Sequence, residues 1–308
     1  MIKIKNLKLN KSGIDILNEL SMNIDDNSVT CILGSKNSGK SSILKALAGI
    51  YRDYYGEILY NDKDINEYKE VVIDIIHGDR ENDANINVYE YLNFYGSIYG
   101  KYDKKELDYF IDVMLKKFML VSYKYTNISV LDEYDYKFIE LIRVLINDPK
   151  VILFDNIFSS DNIEFNERLL DFIKTLLKKK TLVFASRSLN YLEEIITDIA
   201  IIDNGSLVIF GKKEDVYKTA ELSSKVQVEV ISGLSEALDI LNNNKNVSDI
   251  IYTENSISFS LATNISHAKG RDEIESGILK DLIAGNVNVY SFKRQRARFE
   301  QLYERLVL

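Results

Sequence analysis

The chain reads as an α/β protein with a parallel sheet core, followed by a small C-terminal α+β domain of ferredoxin-like order. Three observations predict this. Apolar, strand-like runs alternate with helix-spaced stretches from residue 29 to 210, the signature of a parallel sheet covered on both faces. A strand, a glycine-rich loop and a helix follow one another within residues 29 to 49. Near 219 to 225 the texture changes, and the remainder reads strand, helix, strand, strand, helix, strand.

In order, residues 2 to 9 alternate as a strand, and Val29–Leu33 is a short apolar β-rich run. Ser42 to Gly49 reads as a helix stopped by glycine, and 57 to 60 as another short strand. VVIDII at 71 to 76 is a strand, and the polar stretch 77 to 87 leads to a helical region from Val88 to about Tyr125. A helix over 134 to 147 carries Phe138, Leu141, Ile142 and Leu145 on one face and stops at Asp148-Pro149. Then come the apolar strand 151 to 155, a helix over 164 to 178, a strand over 181 to 185 and a helix over 189 to 196. Strands 199 to 203 and 206 to 210 flank the turn at Asn204-Gly205. In the tail, strands are expected at 226 to 231, 247 to 252, 256 to 261 and 287 to 292, with helices at 235 to 242, 272 to 284 and 296 to 306.

The stretch around which the rest is organised is Gly34, Ser35, Lys36, Asn37, Ser38, Gly39, Lys40, Ser41 and Ser42, which fits G-x-x-x-x-G-K-[ST]. Glycines let backbone N–H groups approach a polyphosphate, and the helix N-terminus adds its partial positive charge. Lys40 would reach the β- and γ-phosphates, and the Ser41 hydroxyl would ligate Mg²⁺. The bland alternative is a glycine-rich turn before a helix.

Net charge is −8, so no overall basic field favours nucleic acid or an anionic membrane surface. The single cysteine, Cys31, excludes disulfides within the chain and suits a reducing, cytoplasmic setting. No run approaches 18 apolar residues, and Met1 to Lys5 alternates as a strand rather than resembling a signal peptide. Lys178 to Lys180 complements a helix C-terminus. The basic cluster 293 to 298 reads as a solvated face or as a lipid or nucleic-acid contact. Many of the 20 tyrosines read as packing, or as lining for a partner groove.

In the order of these pieces, residues 1 to about 218 resemble the nucleotide-binding subunit of an ATP-binding cassette (ABC) transporter. The resemblance rests on the phosphate loop, the helix closing at Asp148-Pro149, VILFD, TLVFAS and IIDNGSLVIFGKKEDVY. It implies a P-loop NTPase domain with N-terminal antiparallel strands, a parallel core and a helical subdomain over about 88 to 130. The tail, 226 to 308, looks like the accessory domain of drug- and peptide-exporter cassettes, with Arg298-Phe299-Glu300-Gln301-Leu302-Tyr303 where such tails carry a leucine-glutamate-x-x-phenylalanine-like pattern.

Laid on that family, the phosphate loop is intact and the rest departs from the pattern. Asp155 matches the Mg²⁺-organising aspartate, but Asn156 stands where a catalytic glutamate is usual; an amide holds a water without accepting its proton. Arg187 falls on the switch histidine and His77 on the sensor glutamine. Leu131, Asp132, Glu133, Tyr134 and Asp135 replace the LSGGQ signature, which in a dimer closes over the γ-phosphate held by the opposite subunit. The same acids would also favour a helix N-terminus in any protein. Asp161 falls in the segment after Asn156, where the family's glycine-leucine-aspartate is lost, and the tyrosine that stacks on adenine falls near Lys11.

The resemblance thus implies ATP and Mg²⁺ as cofactors, a membrane permease and a second ABC ATPase subunit as partners, and a position on the inner face of the membrane through the permease. Hydrolysis is expected to be impaired, with this chain as the regulatory half of a heterodimer, although a sister subunit would borrow this altered signature. Two rivals stand beside that reading: a nucleotide-sensing scaffold with no transport stroke, and an active ATPase using His77, Asp161 or Glu164 as base.

Overall fold

The computed structural model describes residues 1–68, 73–77, 85–98, 101–219, 225–261, 268–295 and 307. It divides into two compact units, one ending at Val216 and the second starting at Tyr217.

The first unit opens with two long antiparallel strands, β1 (Ile2–Lys11) and β2 (Ile14–Ile24), and then β3 (Val29–Leu33) leads through the glycine loop into α1 (Lys40–Leu47). Strands β4 (Tyr55–Tyr60) and β5 (Lys63–Asp64) complete an antiparallel sheet in the order β2-β1-β4-β5. Inward residues of β1 and β2 such as Ile2, Ile4, Leu17 and Leu20 join one core with Ile43, Leu44 and Leu47 of α1.

After β6 (Ile73–His77) comes a helical layer: α2 (Val88–Ile98), α3 (Lys104–Lys117) and α4 (Glu133–Asn147). The expected single helical region is thus broken. Asp103 starts a new helix by a reciprocal capping box with Glu106, and Val121–Tyr123 closes the stretch as a 3₁₀ turn.

Strand β7 (Val151–Asp155), α5 (Ile163–Lys174), β8 (Thr181–Ser186), β9 (Asp198–Asp203) and β10 (Ser206–Lys212) finish the unit, and α6 (Lys213–Thr219) carries the chain across the boundary at 216 to 217. The six-stranded sheet runs β10-β9-β3-β8-β7-β6, parallel except for β10. Its central strand β3 is buried throughout, and β7, β8 and β9 are buried up to their last residue, so they read as unbroken apolar runs.

Two helical expectations need correction. The α5 helix ends at Lys174 with a C-cap at Thr175, and 175 to 179 are turns that include Lys178 at φ 63°. Residues 190 to 195 form hydrogen-bonded turns. There, Leu192 and Glu193 both donate to the Leu189 carbonyl, and Ile195 and Ile196 both donate to that of Leu192, so no regular ladder develops. The apolar spacing of Leu189, Leu192, Ile195 and Ile196 reflects burial of one face of these turns.

The second unit contains β11 (Lys225–Ser232), α7 (Leu234–Asn242), β12 (Val247–Tyr252), β13 (Ser256–Leu261), α8 (Ala268–Ala284) and β14 (Asn288–Gln295). Its sheet is antiparallel in the order β12-β13-β11-β14. Val226, Val228, Ile257 and Phe259 pack with Leu241, Ile278 and Leu282. The expected helix at 296 to 306 and the pattern at 298 to 303 lie outside the described residues.

Candidate nucleotide-binding site

The site begins where β3 runs out. Gly34 is buried, and a Cβ there would lie 2.3 Å from the Ile202 carbonyl oxygen and 2.4 Å from Ser38 Oγ. Gly39 sits at φ 102° as the residue capping α1, and a Cβ on it would meet Leu17 Cδ2 at 2.8 Å. Both positions therefore admit only glycine without local movement. The loop is fixed from outside as well: the Gly205 N–H donates to the Ser38 carbonyl at 3.0 Å, and the Asn18 N–H to the Gly205 carbonyl at 2.9 Å. Ser35, Lys36 and Asn37 are exposed at its rim, Ser38 is buried, and Ser42 is half-buried within the first turn of α1.

Lys40 is folded into this loop. Its Nζ donates to the Gly34 carbonyl at 2.9 Å, the Ser35 carbonyl at 2.6 Å and Ser38 Oγ at 3.2 Å. Burial pulls the Lys40 ammonium down from 10.5 to about 8; Asp155 opposes the fall and Arg187 adds to it. The neighbouring Ser41 Oγ donates to Asp155 Oδ1 at 2.9 Å. Helix start and β7 end thus present a hydroxyl and a carboxylate together, the donor set that suits Mg²⁺. Among the described residues no group of three His, Cys, Asp or Glu stands together, so a cation here would draw its remaining ligands from phosphate oxygens and water. A cradle that excludes any Cβ, a buried lysine and the Ser41–Asp155 pair fit a magnesium-bound polyphosphate.

Of the other residues singled out in the sequence, Asn156, Arg187, Glu133 and Asp161 line one cleft. His77 ends β6 with its backbone in register with Asp155; its side chain lies outside the described residues. Asn156 takes φ 52° and donates its N–H to the Ala185 carbonyl at 2.9 Å. It opens onto a cleft of about 610 Å³ that Glu133, Lys137, Ser159, Asp161 and Arg187 also line. Arg187 is exposed just beyond β8 and, among the described residues, has no ion-pair partner.

The segment at 131 to 135 is built differently from an open anion-binding helix end. Leu131 is buried. Asp132 is the N-cap of α4, and its carboxylate accepts from the N–H groups of Tyr134 at 2.9 Å and Asp135 at 2.7 Å. Glu133 Oε1 accepts from the buried Lys137 Nζ at 2.6 Å. The Tyr134 ring leans on Phe165, 5.0 Å between centroids, and its hydroxyl donates to Asp161 Oδ1 at 3.0 Å. Hydrogen bonds from Ser159 and Tyr134 hold the Asp161 carboxyl below the usual range. Asp135 is half-buried, and burial, with Asp132 beside it, pushes its carboxyl up. Lys11 places its ammonium 3.5 Å from the centre of the Tyr51 ring.

Sequence reasoning passed over Asn166. Only 1% exposed, it accepts from the Ser159 N–H at 2.9 Å and donates to the Ser159 carbonyl at 2.8 Å, holding the loop that carries Asn156. An asparagine inside an apolar helix face was the available signal.

Comparison with known proteins agrees with this geometry. Residues 17–159 match the family model described as ABC transporter. An uncharacterized ABC transporter ATP-binding protein of Methanocaldococcus jannaschii is 29% identical over 217 residues, covering 70% of this chain and 79% of that protein. A spermidine/putrescine import ATP-binding protein of Clostridium novyi is 25% identical over 222 residues, covering 70% of this chain and 63% of that protein. Among solved structures, a component of an ABC transporter complex from Clostridium perfringens superposes with a TM-score of 0.60 at 23% identity, covering 72% of this chain and 92% of that one. A dimeric ATP-binding cassette bound to ADP and phosphate superposes with a TM-score of 0.61 at 19% identity, covering 69% and 98%. The match to the ABC transporter model thus lies inside the first unit, and that unit has the fold of solved ABC ATP-binding cassettes.

Proposed function

We propose that the chain is the ATP-binding subunit of an ABC transporter, one that binds MgATP through Gly34 to Ser42 and hydrolyses it poorly or not at all. One observation carries the reading: Ser41 and Asp155 meet at 2.9 Å as a magnesium-ready pair, while the residue next to Asp155 is the amide of Asn156. Lys40 would exchange its loop carbonyls for phosphate oxygens, and Ser41 and Asp155 would hold the cation. Arg187 would add charge toward the terminal phosphate but, unlike a neutral histidine, has no acceptor for a proton. Asn156 would orient a water without taking its proton. A base in that place contributes about 10²- to 10⁴-fold, so its loss is one of the causes of slow turnover, beside the occupied amides of α4.

The N-terminus of α4 supports the same reading. In the family a signature of this kind offers free amides across a dimer; here Asp132 already satisfies those of Tyr134 and Asp135. A triphosphate arriving there would have to displace a carboxylate of its own sign. At 4 Å, like unit charges repel by about 1 to 4 kcal/mol between water and a near-surface environment.

No helix among the described residues is long and apolar enough to cross a membrane. As the resemblance to ABC cassette subunits implies, the partner would be a membrane permease, with this subunit on its inner face. The partner ATPase would be a second, competent subunit and this chain the regulatory half. Export, read from the resemblance of the tail, 226 to 308, to the accessory domain of exporter cassettes, is carried by the sequence alone. Equilibrium binding of a fluorescent ATP analogue, with and without Mg²⁺, beside a phosphate-release assay on the same sample, tests the core of the proposal. Binding lost in Lys40→Ala, together with turnover that Lys40→Ala leaves unchanged, is the expected pair of results.

A further inference from the structure

A buried ionic cluster outside the phosphate site joins three elements. Arg143 of α4, 8% exposed, donates from Nε to Glu140 Oε2 at 3.1 Å. One terminal nitrogen reaches both carboxylate oxygens of Asp74 in β6, at 3.3 and 3.4 Å, and the other reaches the Ile75 carbonyl at 2.6 Å. The second oxygen of Glu140 accepts from the Tyr91 hydroxyl of α2, itself 3% exposed. Tyr95, one turn further along α2, places its ring centre 5.3 Å from the guanidinium and packs edge-on against Tyr91 at 5.0 Å. The chain of contacts therefore runs α2, Tyr91, Glu140, Arg143, then Asp74 and Ile75 of β6.

Its position gives it a use. Ile75 lies two residues before His77, whose backbone is in register with Asp155, the carboxylate paired with Ser41. At its other end, α2 exposes Phe94 and Ile98. A buried guanidinium with two carboxylates cannot shear apart without leaving a charge unpaired in a low-dielectric interior. Separating helix from strand end would carry that cost, which gives a physical basis for coupling the two.

We infer that Tyr91, Glu140 and Arg143 are positioning residues that lock helix α2 to the end of strand β6, so that displacement of α2 is transmitted to the strand end beside Asp155. None of the three needs to touch nucleotide. The inference goes beyond the proposed function, and only its nucleotide arm rests on MgATP binding at the phosphate loop.

Hydrogen exchange followed by mass spectrometry on the full chain tests it from both ends. Tyr91→Phe removes only a hydroxyl in α2. Exchange should rise about tenfold or more in 88 to 98 and, in step, in 73 to 77, with peptides from β3 and α1 unchanged. Arg143→Lys keeps the charge but loses the fork to Ile75; it should loosen 73 to 77 and, reciprocally, 88 to 98. If each variant loosens only its own element, or if neither changes exchange, the coupling is refuted. Should one variant fail to fold, the other decides alone. In the nucleotide arm, MgATP should raise protection of 88 to 98 in the wild type but not in Tyr91→Phe, at an ATP affinity within about twofold of wild type; protection that rises equally in both overturns the inference. Failure of the wild type to bind MgATP would sink the proposed function, while exchange in the free protein would still decide the coupling.

Discussion

Raising the pH from about 7 to about 9 should weaken MgATP binding about tenfold, because the lysine that grips the phosphates loses its charge over that interval. In the free protein, burial brings the Lys40 ammonium to about 8. Some nine-tenths of the molecules then carry the charge at pH 7 and about one-tenth at pH 9. If only the charged form holds phosphate, apparent affinity falls by the ratio of these fractions, about 1.4 kcal/mol. For folding the same shift has the opposite sense. A lysine whose folded pKa lies below its unfolded value of 10.5 leaves the native state carrying a penalty below about pH 8, which is relieved as pH rises toward 10.5. Binding should therefore weaken where stability improves, so unfolding cannot explain the loss. Arg187 contributes to the depressed value, so Arg187→Gln should move the midpoint of the binding curve upward. Titration calorimetry in two buffers of different ionisation heat would read both affinity and proton uptake. An affinity that is flat from pH 7 to 9, with no proton taken up, would refute the reasoning.

Further predictions follow from neighbouring groups. Asn156→Glu alone should leave phosphate release by the isolated chain within about threefold of wild type, since Asp132 still occupies the amides of Tyr134 and Asp135; a gain of the 10²- to 10⁴-fold size expected of a working base would contradict it. Asp132→Ala should cost about 1 kcal/mol in urea unfolding through loss of the α4 cap, and Asp132→Ser much less, because serine caps nearly as well. Asn166→Ala should cost about 1 to 3 kcal/mol by leaving both backbone groups of Ser159 without their partner in a part-buried loop; thermal unfolding within a degree of wild type would rule that out.

Where chemistry demanded one residue type, the sequence was readable. Gly34 and Gly39 stand where a Cβ would collide with fixed neighbours, and Asp155 ends a strand that has no exposed face to disguise it. Apolar periodicity was weaker wherever burial and backbone regularity part company. Leu189 to Ile196 carries helical spacing but forms turns, and β2 escaped notice because Glu19, at φ 50°, and shifted register break its alternation. The acids at 132 to 135 supported two readings at once, an altered signature and an ordinary acidic helix start. In the fold the cap geometry of Asp132 satisfies the second, and that same geometry is what supports the first. Tyr91, Glu140 and Arg143 were hidden for a different reason: their meaning depends on Asp74, nearly 70 residues away along the chain, which only the sheet brings to them.

The central claim, retention of the triphosphate without its cleavage, is tested most directly by measuring MgATP binding and phosphate release on one purified sample, with Lys40→Ala as the reference. The account predicts saturable binding that Lys40→Ala abolishes, and phosphate release no faster than that of Lys40→Ala. Brisk release that Lys40→Ala eliminates, or no binding at all, would contradict it.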